Sequence, residues 1–425
     1  MKIRIDHIAK IEGHASFTAD IIRGDVKGAR IKIDEGARLF EGILSGRKDE
    51  ELPEIASRIC GICPVVHNLT GFKALEKTYG IQLDETSIIL RKLMMLGQLI
   101  NSHSLHLFFF SLADFFGYKS DLQLVNAYPE KTHDAVKIRD IGNRIVETIG
   151  GRSVHPVTPV LGGLRKAPDS AKLKELLVDC KKTMPLVLKL GDLFNQLKYP
   201  AFHRETTFVS LTHSNEYAVY DGKIKAGKLT FEPEEFLLLV KEFQGQDMVA
   251  KRTKFAGGVY MVGALARLHN NFDKLNLEAR KLLEKSGLKI ITSPTGGPCF
   301  NPFYNILAQA IELVHCFEES ITLLELLTIG EIKISEPKIV KRTGEGIGAI
   351  EAPRGTLFYD VKVKDGITQD LNIITPTAQN LANLEADLEE FEHIEGFKGL
   401  KKEERTDKIK MLIRAYDPCV TCSVH

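Results

Sequence analysis

Arg58-Ile59-Cys60-Gly61-Ile62-Cys63-Pro64-Val65-Val66-His67 and Asp417-Pro418-Cys419-Val420-Thr421-Cys422-Ser423-Val424-His425 stand near opposite ends of the chain. Each is a Cys-x-x-Cys pair with a histidine just beyond it. Two intervening residues let both sulfurs of a pair reach one ion across a tight turn. Four thiolates suit zinc, iron–sulfur, copper(I) or nickel. A structural zinc site is the commonest fate of two such pairs, but it usually closes a loop of tens of residues. Here most of the chain lies between them. An iron–sulfur cluster meets the same difficulty, and a redox dithiol needs only one pair. Spacing alone therefore leaves structural zinc and a catalytic metal both open. Either one requires a fold that returns its end to its beginning.

Between the pairs there is enough apolar material for a large core. The chain has 425 residues, 44% of them hydrophobic, and length alone permits two or three domains. Its 57 Lys+Arg against 56 Asp+Glu give a net charge of +1, and no basic stripe calls for nucleic acid. No apolar run reaches the ~20 residues that span a bilayer. The best, Leu105 to Phe116, is shorter, carries Asp114 and reads as a buried helix. The N-terminus lacks the apolar segment of a signal peptide, so a cytoplasmic location is expected. The cysteine count is seven, an odd number that argues against a disulfide scaffold. Cys180, Cys299 and Cys316 are isolated and read as buried structural thiols.

Strand patterns lie at both ends. Ala15 to Ile22 and Val26 to Ile33 are apolar-rich around the turn Arg23-Gly24-Asp25. From about Leu52 the pattern becomes helical. Ser87 to Phe116 is a long apolar helical stretch. Pro168-Asp169-Ser170 opens a helix through Leu193, with a kink or break expected at Pro185. Residues 201–232 alternate like strands around Tyr217, Val219 and the turn Asp221-Gly222. Pro233 starts a helix, Leu277 to Lys285 is another with Asn276 as N-cap, and Pro302 to Leu327 is a third. The glycine-rich Thr343 to Gly348 resembles a phosphate loop only superficially, for it lacks the Gly-Lys-Ser/Thr ending. A hairpin follows, Thr356 to Val363, turning at Lys364-Asp365-Gly366 and returning to Ile374. A polar helix is expected over Thr377 to Phe391, and Lys408 to Tyr416 leads into the last pair. The expectation is one α+β unit over residues 1–425: a large helical bundle flanked by small sheets from the N- and C-terminal parts, with no linker dividing it.

The words around the cysteines resemble the two signatures of nickel–iron hydrogenase large subunits: Arg-x-Cys-Gly-x-Cys-x-x-x-His and Asp-Pro-Cys-x-x-Cys-x-x-His. Further stretches fall in that family's order. They are Ile11-Glu12-Gly13-His14, Arg38-Leu39-Phe40-Glu41, Gly150-Gly151-Arg152 with His155-Pro156 and Gly162-Gly163, Glu351-Ala352-Pro353-Arg354-Gly355, and Pro376-Thr377-Ala378-Gln379-Asn380. The resemblance spans essentially the whole chain and implies that family's large-subunit fold.

The resemblance also implies roles. Cys60 and Cys419 would be terminal nickel ligands, while Cys63 and Cys422 bridge nickel to an iron carrying cyanide and carbon monoxide, an NiFe(CN)2(CO) centre. H2 would split heterolytically, with Cys419 a candidate base and Glu12 relaying the proton. Arg354 would sit over the open nickel position, supported by Asp417. Backbone at Pro353 and Arg354, with Thr377, would bind the iron's cyanides. Glu41 and His425 would hold a divalent ion, Mg2+ or Fe2+, near the C-terminal histidine. Taken without the resemblance, Glu12 reads as a salt-bridged structural carboxylate and Arg354 as an ordinary buried ion pair. Maturation in the family removes an extension just after the final histidine, so a chain ending at His425 reads as the processed form. Ser102-His103-Ser104-Leu105-His106 departs from the family, which often has a carboxylate at the position of Ser102. His103 and His106 read as structural hydrogen-bonders.

Since the metal centre uses all four paired cysteines, electrons must leave through another chain. The resemblance implies an iron–sulfur small subunit, with flavin/iron–sulfur diaphorase subunits passing them to NAD(P), ferredoxin or a deazaflavin coenzyme. Two other classes fit parts of the sequence. One is a non-catalytic scaffold stapled by zinc. The other is a complex I-like proton-coupling protein, from a family that has lost these cysteines.

Overall fold

The computed structural model describes residues 2–22, 25–244, 249–292, 297–330, 332–334, 342–391 and 399–425. The chain begins in a three-stranded antiparallel sheet of β1 (Lys2–Ile5), β2 (Ala15–Ile22) and β3 (Asp25–Ile33), in that order. β2 and β3 were expected and β1 was not; most of the turn between β2 and β3, Arg23 and Gly24, lies outside the described residues. Alternation in β2 sends Ala15, Phe17 and Ala19 inward, all buried. Helix α1 (Pro64–Tyr79) follows the first cysteine pair directly, with Pro64 at its first turn.

Four long helices form the bundle: α2 (Glu85–Leu105), α3 (Pro129–Gly150), α4 (Ser170–Asn195) and α5 (Tyr304–Thr328). α2 packs on α3 and α5, and α4 on α3 and α5. Gly97 and Gly142 meet where α2 crosses α3. A Cβ on Gly97 would lie 2.8 Å from the Gly142 carbonyl, so only glycine permits that approach. α4 is capped by Asp169, as its sequence predicts, but it is not broken at Pro185. Buried Leu176, Val187, Leu190 and Phe194 hold its face against the bundle through the missing hydrogen bond. The long apolar stretch is not one α-helix either. After α2 comes a π-helix, His106–Ser111, and then a short α-helical turn, Leu112–Phe115.

The segment 201–232 holds β4 (Thr207–Thr212), β5 (Lys223–Ala226) and β6 (Leu229–Phe231). With β7 (Tyr260–Met261) they order as β7-β4-β5-β6. Tyr217 and Val219 lie in the connection, not in a strand; Val219 O accepts from Glu351 N at 2.9 Å. Asn276 begins the helix Leu277–Glu284, yet its side chain does not cap it. Glu318 of α5 takes that place, accepting from Glu278 N and Ala279 N at 2.9 and 3.0 Å, while Asn276 donates to Glu319.

The glycine-rich segment is a strand. β8 (Gly344–Ala352) pairs with β9 (Gly355–Lys364), which pairs with β10 (Ile367–Ile374). A Cβ on Gly346 or Gly348 would fall 2.5 Å from α1 backbone, at Thr78 N and Thr70 O respectively. The glycines let the strand lie directly on the helix. α6 (Pro376–Glu390) is polar in sequence but largely buried, because Gln379, Asn380 and Asn383 hydrogen-bond inside. α7 (Lys402–Ala415) returns the chain to the bundle and delivers the second cysteine pair to the first.

Candidate metal centre

Cys60 lies just before α1 and Cys63 at its N-cap, so the first pair is set by a helix start. The amides of Ile62 and Cys63 point at Cys60 Sγ, at 3.3 and 3.4 Å, and favour an anion there. The second pair is set by Asp417, held in the left-handed region at φ 49°, and by a single helical turn, Val420–Ser423. Between the pairs, Cys60 Sγ is 3.4 Å from Cys419 Sγ, and Cys63 Sγ is 3.2 Å from Cys422 Sγ. All four sulfurs lie within 4.8 Å of one another, buried and as free thiols. Hydrogen bonding from Cys419 holds the Cys60 thiol well below its ordinary range, whereas burial pushes Cys419 and Cys422 well above theirs.

Around the sulfurs stand the groups read from sequence. Glu12 runs beside Cys419 as an isolated parallel bridge, its carbonyl accepting from Val420 N at 2.9 Å. Its carboxylate is 3.0 Å from Cys419 Sγ and accepts from the amide and hydroxyl of Thr421. Arg354 occupies the turn between β8 and β9. Its Nε donates to Asp417 O at 2.7 Å and its Nη2 to Asp417 Oδ1 at 2.9 Å. Its Nη1 is buried without a hydrogen-bond partner among the described residues. Thr377, in the first turn of α6, accepts from Cys419 N at 3.0 Å. Pro353 has no N–H to offer, and its carbonyl accepts from Arg267 Nη2 at 3.0 Å.

A second cluster lies behind the last cysteine. His425 Nδ1 donates to Cys422 O at 2.7 Å, and its buried Nε2 stands 3.6 Å from Glu41 Oε1 without a hydrogen-bond partner among the described residues. Burial opposes ionisation of Glu41, yet contacts to His425, Ile373 N and Lys251 pull its pKa down to about 2. An ionised carboxylate facing an unpartnered imidazole nitrogen is a fitting pair of donors for a hard divalent ion.

Residues 38–145 and 210–425 match the sequence pattern of the family described as nickel-dependent hydrogenase. The chain belongs to that family. The alpha chain of sulfhydrogenase 1 from Pyrococcus furiosus is 36% identical over 435 residues, covering 100% of this chain and 98% of the relative. One vhu chain of the F420-non-reducing hydrogenase of Methanocaldococcus jannaschii is 31% identical, over 90% of this chain and 97% of the relative. Among solved structures, an NAD+-reducing [NiFe]-hydrogenase in the H2-reduced state superposes with a TM-score of 0.89 at 26% identity, covering 100% of this chain and 99% of that one. The Ni-Fe-Se hydrogenase of D. vulgaris Hildenborough gives 0.79 at 25% identity, with 100% of both chains covered. The fold expected from sequence, a nickel–iron hydrogenase large subunit, is the fold observed.

In this hydrogenase the donor set suits nickel. Four soft sulfurs converge from both ends of the chain, and the unpartnered Nη1 of buried Arg354 belongs to the same cluster. Sequence reading left some neighbours without a role. His67, four residues after Cys63 on α1, has Nε2 3.5 Å from Cys422 Sγ. Tyr359 of β9 binds its Nδ1 at 2.7 Å. Burial lowers the His67 pKa to about 4, so the ring is neutral at physiological pH. Its signal was present as the last residue of the first motif. Lys251, 3.2 and 3.3 Å from the Glu41 oxygens, had no local signal. His103 and His106 bond to Glu312 and Gln309, and Ser102 Oγ is buried.

Proposed function

We propose that residues 1–425 act as one catalytic unit. In it Cys60, Cys63, Cys419 and Cys422 hold a nickel–iron centre whose iron carries cyanide and carbon monoxide, and Glu41 with His425 holds Mg2+ or Fe2+. The observation that carries this reading is the convergence of the four sulfurs, with the Glu12 carboxylate 3.0 Å from Cys419. When bound, the centre would supply the open coordination site at which H2 splits heterolytically. The chain's part is to manage proton and charge. Cys60 and Cys419 would hold the nickel, and a proton held on Cys419 sulfur would pass to Glu12 along their existing contact. Thr421 holds that carboxylate in place, its amide on the oxygen that faces Cys419 and its hydroxyl on the other. Arg354, backed by Asp417, presents a buried cation to the reaction space, where the low dielectric strengthens its pull on developing charge. Thr377 and the backbone beside Pro353 and Arg354 would hydrogen-bond the iron's cyanides.

Electrons leave through an iron–sulfur small subunit, then onward through diaphorase subunits to a soluble acceptor. Likeness to an NAD+-reducing enzyme supports a nicotinamide acceptor, and relatives named F420-non-reducing weigh against a deazaflavin. No helix of the described residues is long and apolar enough to cross a membrane, which fits the proposed cytoplasmic location.

Metal analysis of the purified complex is expected to give nickel near one per copy of this chain, with iron in excess of it from the iron–sulfur subunits, and infrared bands from cyanide and carbon monoxide. Zinc alone would leave a stapled scaffold. Cys419→Ser is expected to abolish hydrogen turnover. Full activity in that variant with nickel bound would remove Cys419 from the centre.

A further inference from the structure

The geometry points to Gln309 and His106 as positioning residues for the Arg354 guanidinium, acting through Asp417. This rests on the reading of Arg354 given above. Asp417 alone is poorly suited to hold an arginine still. It is a non-glycine residue in the left-handed region, at φ 49°, in a turn between α7 and the last cysteine pair. Such a conformation persists when neighbouring contacts over-determine it.

Those contacts come from two helices. From α5, Gln309 Nε2 donates to Asp417 Oδ2 at 3.1 Å, opposite the oxygen that Arg354 uses. One turn earlier on the same face, Asn305 Nδ2 donates to Ala415 O at 2.8 Å. From the π-helix, His106 reaches the same turn by two routes. Its Nδ1 is bonded to Gln309 Oε1. Its Nε2 lies 2.8 Å from Arg414 O, the carbonyl that also accepts from Asp417 N at 2.8 Å, and 3.9 Å from Asp417 Oδ1 itself. His106 therefore braces the carboxylate through Gln309 and the backbone through Arg414.

The π-helix accounts for the position of His106. Its i→i+5 spacing brings Ser111 Oγ to 3.1 Å from His106 Nε2, fixing the ring from its own helix. His106, Gln309 and Asp417 are all buried, so each contact works without competition from water. The chain of contacts ends at a guanidinium with one buried nitrogen still free. An ångström of drift there is enough to cost a reaction about 100-fold.

The test uses the nickel-loaded complex and Gln309→Met, which keeps the volume and removes both hydrogen bonds. The expected crystal structure has the guanidinium turned away from its wild-type position. Hydrogen turnover is expected to fall at least tenfold at wild-type nickel and iron content. Added to Arg354→Lys, Gln309→Met is expected to cost less than a further twofold, because both act on one group. An unmoved guanidinium, or losses that multiply, overturns the inference. If Gln309→Met does not accumulate, Gln309→Leu is judged by the same criteria, since it too removes the donor to Asp417. Full activity in Arg354→Lys would sink the catalytic reading of Arg354. The crystal structures would still decide whether Gln309 positions it.

Discussion

Glu12 shows what a single side chain contributes that a neighbouring shape cannot. Glutamine has the same length and keeps an oxygen for the Thr421 amide, now 3.1 Å from Glu12 Oε2. It cannot carry a proton from sulfur to solvent. Glu12→Gln is therefore expected to slow exchange of H2 with D2O by about 100-fold or more, the scale of a lost general acid–base. Nickel and iron content should stay at the wild-type level. Unchanged exchange would take Glu12 out of the proton path. Glu12 was legible in sequence because it sits in a short word with its glycine and histidine, and the four cysteines were legible as two pairs. Gln309 and Tyr359 were not. Each matters through a partner far away in the chain, Asp417 or His67, and nothing next to it in sequence marks the meeting.

Helices and strands were readable where the signal was local. The cap Asp169, the turn Asp365-Gly366 with both residues at positive φ, and the helix begun by Pro233 stand where the sequence puts them, while the helix expected from Pro302 begins at Tyr304. Where a distant element decides, sequence reading failed. β8 is a strand because α1 leaves room only for glycine, and the N-terminus of the helix Leu277–Glu284 is capped from α5. Gly348→Ala puts a methyl 2.5 Å from Thr70 O. Strand and helix backbones must separate, a change expected to cost about 1–3 kcal/mol, read as a lower unfolding midpoint. An unchanged midpoint would mean that the strand does not rest on the helix. The same helix pair sets a pH dependence. His315 of α5 accepts from Asn276 N at 3.2 Å and is buried, which lowers its pKa to about 4. A lowered histidine stabilises the fold above the unfolded value of about 6.5. That stability is lost as pH falls toward 4, by about 3 kcal/mol. Denaturant unfolding of His315→Gln, which keeps the acceptor, should lack this part of the acid dependence; an identical profile would assign the loss to other groups.

At the scale of the whole molecule, the fold solves one problem, which is to bring its last residues to its first hundred. The tail is met by Glu12, which takes the amides of Val420 and Thr421, and by Arg38 N, which donates to Val424 O at 2.7 Å. A backbone hydrogen bond returns about 1 kcal/mol net, close to what fixing one residue's backbone costs. With the bonds that hold Asp417 and Cys419 N, and the burial of Val420 and Val424, these bonds seat the segment from Asp417 to His425 on the protein. Metal–sulfur bonds joining Cys60 and Cys63 to Cys419 and Cys422 would add a further restraint. Removing the metal is expected to loosen the tail before the bundle. In hydrogen exchange, the amides of Val420 and Thr421 should exchange at least tenfold faster in metal-free protein than in the loaded form, while buried amides of α5 keep their protection. Equal protection of the tail in both forms would mean that protein contacts alone close the molecule, and that the four sulfurs meet whether or not a metal joins them.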